Sequence, residues 1–307
     1  MEMTRSRELA ADLAALDAQV NALLPPRYQH CYNAVAPTSM GSAGLVRDAD
    51  GRVAWDRIWT TFCDLALAGG PPHRGKLLEP VAPAAVAADP AGAEAVAAEL
   101  ARAIGLTAGL PVVAVDAPGR VGVRCESPAM AGWLQLAVTA ENVAAQRRGD
   151  VLHLPAGPAF AVEKEVKNVV VALAKARHYW DGHLDAAQQA LAAAPLGEPA
   201  PPAEVAAAPA AYDAALALVA KALRPAGIPL GPRRYAGWAG LQLADEEEAA
   251  WHLRAVLVGR ILARREGRVL YLPVGPAPDP AHADRVGAAF ARAHRLRAAA
   301  TPPRDAW

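Results

Sequence analysis

Apolar residues at Leu9, Leu13, Leu16, Val20 and Leu23 recur every three or four positions, which predicts a helix with one apolar face. Pro25-Pro26 ends it, because proline cannot continue helical hydrogen bonding. The stripe suits packing on the chain's own domain; its other use is a homo-oligomer contact through the 9–23 helix. Residues 44–54 read as a hairpin turning at Asp48-Ala49-Asp50-Gly51. The D-x-D-G string falls short of a calcium loop, since position twelve is Trp59 where a bidentate glutamate is needed. From about Asp56 a helix is expected with Trp55, Trp59, Phe62, Cys63 and Ala66 on one face, stopping at Gly69-Gly70.

Beyond residue 78 the pattern is written twice. Residues 119–158 align with 237–276 without a gap, and 15 of the 40 positions are identical. Residues 79–104 align with 198–223, with 13 of 26 identical, many of them alanine. Each copy opens with an Ala-rich helix (91–104; 210–223). The first continues with strands at 112–116 and 121–125, then a helix with Ser127 as N-cap and Pro128 in its first turn, running to Arg147-Arg148-Gly149. The second copy starts that helix with Asp245-Glu246-Glu247-Glu248, a capping box, and ends it at Arg264-Arg265-Glu266-Gly267. Both then carry a short strand (151–155; 269–273), Gly-Pro and a final helix. The unit reads α-β-β-α-β-α, so the expected fold class is α+β: a helical and hairpin segment (1–78), a first repeat (79–185), an Ala/Pro-rich linker (186–197), a second, degenerate repeat (198–297) and a tail (298–307). Trp133 and Trp251 take the same place in both copies and read as core anchors.

Composition narrows the function classes. Hydrophobic residues make up 53%, with alanine supplying much of that and phenylalanine only three positions, so the core is built from small side chains. Lys plus Arg equal Asp plus Glu at 31 each, a balance that argues against nucleic acid or an anionic membrane as partner. No apolar run reaches spanning length and no signal-peptide pattern opens the chain. Cys31, Cys63 and Cys125 are too few and scattered for a disulfide framework, which makes a reduced, cytoplasmic setting the expectation.

Comparing the copies filters the chemistry. The first has Cys125, Glu126, Glu141, Asn142 and His153 where the second has Leu243, Ala244, Gly259, Arg260 and Tyr271. Helical geometry sets Glu141 on the apolar face of Met130, Leu134, Ala137, Val138 and Ala145, with Gln135, Thr139, Asn142 and Gln146 pointing away. A carboxylate so placed must be paired, hydrogen-bonded or protonated. It is either a general acid or base, or half of an internal ion pair with Arg148 or a lysine of the next helix. On that next helix Lys164, Asn168, Lys175 and His178 share one line, which is either a solvated face or a binding stripe for an acidic molecule or phosphate. The 69–75 loop presents His73 and Arg74 on a stiff Pro-Pro arm, as a proton donor and an anion fork or as a plain connector. His178 and His183 are five apart, which misses the i, i+4 face of a helical metal pair, though Asp181 could assist. His30, Cys31, Cys63 and His73 lack zinc-site spacing, and the 38–42 loop lacks a nucleophile-elbow setting. No metal site is assigned, and the motifs leave the cofactor open.

The expectation is a cytoplasmic small-anion-binding protein, or an enzyme, with its site where the N-terminal segment meets the first repeat. Glu141 and His73 would exchange protons there; Arg74, Lys164, Asn168, Lys175 and His178 would hold the ligand. The alternative is a non-catalytic scaffold or assembly protein built from duplicated domains.

Overall fold

The computed structural model describes residues 2–23, 44–57, 65–68, 70, 72–231 and 234–300. The chain forms two compact units, Leu24–Ala194 and a second made of Met1–Leu23 with Pro195–Trp307. Among the described residues there are ten helices and two small antiparallel sheets, so the class is α+β. No helix of the described residues is long and apolar enough to cross a membrane.

Helix α1 (Glu2–Leu23) belongs to the second unit and is treated with it below. In unit Leu24–Ala194 the 44–54 stretch makes the expected turn: Arg47 bridges Val53, and Asp48 Oδ1 accepts the Asp50 and Arg52 N–H groups at 3.0 and 2.9 Å. Most of the helix expected from Asp56, residues 58–64 with Trp59, Phe62 and Cys63, lies outside the described residues; on either side Trp55–Arg57 and Ala66–Ala68 form short 3₁₀ turns. Helices α2 (Pro83–Ala88) and α3 (Pro90–Ala108) follow, each opening on a proline, where the missing N–H costs nothing. Strands β1 (Val112–Val113) and β2 (Arg120–Arg124) lead to α4 (Pro128–Ala140), β3 (Gln146–Arg148) and β4 (Val151–Pro155). The sheet order is β1-β2-β4-β3, antiparallel throughout. A π-helical turn (Val162–Val166) runs into α5 (Lys167–His183), and α6 (Ala186–Leu191) starts the linker with a capping box between Asp185 and Gln188. Helices α3 and α4 both pack on α5, burying Leu100, Ile104, Leu134, Val138, Val170 and Leu173 completely.

Two expectations need correction. The helix after Ser127 does not reach Gly149; it ends at Ala140, and residues 146–148 are a strand. Asn142 takes the left-handed conformation (φ 61°), which stops the helix, and Gly149 (φ 62°) closes a two-residue turn between β3 and β4. Nor do Gln135, Thr139 and Asn142 face solvent: they are 0%, 1% and 0% exposed, because α4 is covered on all sides.

The second unit contains α7 (Pro202–Ala207), α8 (Pro209–Leu223), β5 (Trp238–Gln242), α9 (Glu246–Val258), β6 (Arg264–Glu266), β7 (Val269–Pro273) and α10 (Pro280–Ala300). Its sheet order is β5-β7-β6. The second-copy helix likewise stops at Val258 rather than at Gly267, with Arg260 at φ 59°. Helix α1 packs here: Leu16 joins Ala255, Ala293 and Leu296, with Leu9, Leu13, Val20 and Trp251 against them. Asp12 accepts from Arg292 at 2.6 Å and from Arg295 at 3.1 Å. The apolar stripe therefore packs on the chain's own α9 and α10, and α1 belongs to a different compact unit from the hairpin that follows it in sequence.

Local geometry recurs at aligned positions of the two units. Gly119 and Gly237 both have φ 77°, and their carbonyls accept the Ala156 and Val274 N–H groups, each at 2.8 Å. Leu78 and Gly197 each bridge in parallel to the residue after the left-handed position, Val143 and Ile261. Ser127 and Asp245 cap α4 and α9 by accepting the Met130 and Glu248 N–H groups.

Candidate functional site

In unit Leu24–Ala194 the polar groups converge on the C-terminal end of α4. Glu141 is its C-cap residue, fully buried, with φ −79° and ψ 7°. A carboxylate there faces the negative end of the helix dipole as well as the cost of burial, so its partners must be strong. Its Oε1 accepts the Ala66 N–H at 2.8 Å and its Oε2 accepts the His73 N–H at 2.6 Å. Lys175 Nζ, 1% exposed on α5, lies 3.7 Å from Oε2. The ion-pair reading of Glu141 thus finds its lysine on the next helix, and the carboxylate also ties two points of the 66–73 segment to α4.

Asn142 extends the same tie. Its Nδ2 donates to the Arg74 carbonyl at 2.8 Å, and its own carbonyl accepts the Leu78 N–H at 2.8 Å. Asparagine is among the few residues that adopt left-handed backbone readily, which suits this corner. Arg74 turns its Nε to the Lys76 carbonyl at 3.2 Å.

The His73 ring sits in the field of three cations. Asn168 stands beside it and favours its protonated form, while Nε2 is buried without a partner. Its pKa is pushed down to about 3, first by burial, then by Lys175, with Lys167 and Arg74 adding to the effect. At neutral pH this imidazole is uncharged. Burial also lowers the pKa of Lys167, which is 8% exposed. Lys167 was not singled out from the sequence. The π turn brings it in: the Val166 N–H reaches back five residues to the Ala161 carbonyl at 3.2 Å, which shifts the register at the start of α5.

The structure therefore gathers Glu141, His73, Arg74, Asn168 and Lys175. Lys164 and His178 are exposed and stand apart from the group, since the π turn takes Lys164 off the α5 line. His178 meets His183 instead, Nε2 to Nε2 at 3.0 Å, and Asp181 is held by Arg177 at 2.6 Å rather than aiding the histidines. Cys125 is buried, its thiol pushed up to about 12 mainly by burial, as suits an inert side chain. His153 is buried in β4 with its pKa lowered, chiefly by burial. His30, Cys31 and Cys63, and the 38–42 loop, lie outside the described residues. Compared with known proteins, the chain matches no protein-family model, no curated protein and no solved structure.

Proposed function

We propose that the protein binds a small anionic molecule where the 72–78 segment meets the start of α5. The observation that carries this reading is the charge of the cluster. Arg74, Lys167 and Lys175 act together on one imidazole, and among the described residues the buried carboxylate beside them is Glu141, paired with Lys175. An anion entering this field would be drawn by the three cations that act on His73. On this reading Glu141 is a positioning residue that fixes the 66–73 segment and orients Lys175. His73, neutral and with Nε2 unpartnered, is the group able to exchange a proton with a bound ligand, should the protein act as an enzyme.

The test uses inorganic phosphate and succinate, followed through the His73 ring resonance by NMR and by calorimetry. Saturable binding is expected, with the His73 pKa rising as the anion offsets Lys167, Lys175 and Arg74. K167M should weaken binding about 10- to 100-fold, the loss of one charge-assisted hydrogen bond. Absence of saturable binding by either anion, or equal binding by K167M, overturns the reading.

We also infer that the two units are copies of one ancestral unit, the second degenerate at this site, because the caps, left-handed residues and bridges recur at aligned positions. A buried, unpaired Cys125 accords with a reducing, cytoplasmic compartment. The scaffold alternative is less supported, since the 9–23 stripe meant for a partner is occupied within the chain.

A further inference from the structure

In the second unit α9 carries Glu248 and His252 four residues apart, so both project from one helix face. Helix α10 packs along α9 and brings His294 to that face; one donor atom from each of the three residues lies within 4.8 Å of the others. His252 is fully buried, and its Nδ1 is 2.8 Å from the Glu248 carbonyl oxygen. A carbonyl only accepts, so Nδ1 carries the proton and Nε2 presents its lone pair. That Nε2 has no hydrogen-bond partner, and neither does the buried Nδ1 of His294. Two orphaned ring nitrogens beside one carboxylate are costly unless something joins them. Glu248 accepts the Ala244 N–H on Oε2 at 2.7 Å, which leaves Oε1 for a ligand.

We propose that Glu248, His252 and His294 bind one divalent transition-metal ion of the zinc class. Two imidazole nitrogens and a carboxylate oxygen are a zinc donor set that leaves a fourth position for water or a ligand. Tetrahedral bonds of about 2.0–2.1 Å place donors about 3.3 Å apart, so turning the half-buried Glu248 and His294 side chains inward closes the group onto an ion. Their partial exposure also provides the way in. The His252–carbonyl hydrogen bond is the outer contact that fixes a metal-bound imidazole. Phe290 stacks on both rings, at 5.2 and 6.0 Å, and sets their planes. Burial lowers the His252 pKa, which favours the uncharged ring; Arg297, a cation acting on that ring, is engaged by Glu247 at 3.0 Å.

The full-length protein, stripped with a chelator, is titrated with Zn²⁺ by calorimetry and with Co²⁺ by visible absorption. One equivalent should bind, with weak d–d bands and no intense thiolate charge-transfer band. H294Q and E248Q should lower affinity by more than the roughly 10- to 100-fold typical of a supporting residue. Both positions are half-buried, and far-UV circular dichroism confirms that the variants fold. The proposal falls if no ion binds, if H294Q binds as tightly as the parent, or if a thiolate band places the metal on cysteines.

Discussion

Glu141 shows how one side chain can set the position of a whole segment. It is fully buried and holds Ala66, His73 and Lys175, groups 75, 68 and 34 residues from it in sequence. Removing one member of a buried pair leaves the other charge stranded, which costs more than the pair contributes. E141Q should therefore destabilise unit Leu24–Ala194 by about 3–5 kcal/mol in urea denaturation. E141Q combined with K175M should recover a substantial part of that loss, because no uncompensated charge then remains. If the double variant is as unstable as the sum of the single ones, the two residues are not coupled. The lysine was legible in the sequence as a partner from the next helix. His73 was read as sharing a site with Glu141, but the contacts made by the Ala66 and His73 backbone N–H groups were not legible, since such groups have no periodicity that points to an acceptor. Glu248 and His252 carried a readable i, i+4 spacing, but His294 is remote in sequence and only the packing of α10 reveals it.

At the scale of elements, helix starts and the last strand of each copy were readable, while helix ends and the strands just beyond them, 146–148 and 264–266, were not. Ser127 and the strands at 151–155 and 269–273 stand as expected, and Asp245 caps α9, but its capping box is incomplete because Glu248 Oε2 accepts the Ala244 N–H instead of that of Asp245. The helix after Ser127 was overextended because the apolar spacing of α4 continues through Ala145 past the Asn142 corner. Backbone geometry, not apolarity, ends it there. The same logic separates two glycines. Gly149 sits in an open turn, so G149A should cost only the left-handed penalty of about 1–2 kcal/mol. At Gly119 an added Cβ would overlap the Val81 carbonyl, and G119A should cost a further 1–3 kcal/mol or so from overpacking. Equal thermal melts for the two variants would contradict the close approach of Val81 to Gly119.

Over the whole molecule, acidity is the natural probe, because the net charge is zero and the depressed histidines are spread over both units. His73 has a folded pKa of about 3, below its ordinary 6.5, and the pKa values of His153 and His252 are lowered too. Below pH 6.5 the unfolded chain binds these protons and the folded chain does not. Stability is therefore complete above pH 6.5 and falls as the pH drops; for His73 the loss runs toward its folded pKa of about 3 by at most about 1.4 kcal/mol per pH unit. H73Q should flatten the urea-midpoint profile between pH 6.5 and 4 while leaving the profile above pH 7 unchanged in slope. An unaltered acid limb would mean that His73 titrates normally.

The placement of α1 sets an order on how the chain can be completed. Asp12 and Arg292 are 280 residues apart, yet they meet in one unit. At synthesis rates of about 5–20 residues per second, Leu16 is exposed for roughly 15–60 s before α10 exists to cover it. Unit Leu24–Ala194 has all of its own residues well before that and can close around Glu141 during translation. The second unit cannot. It is completed only after its last helix leaves the ribosome, so any product shortened before α10 carries a bare row of leucines and is a natural substrate for chaperones and proteases.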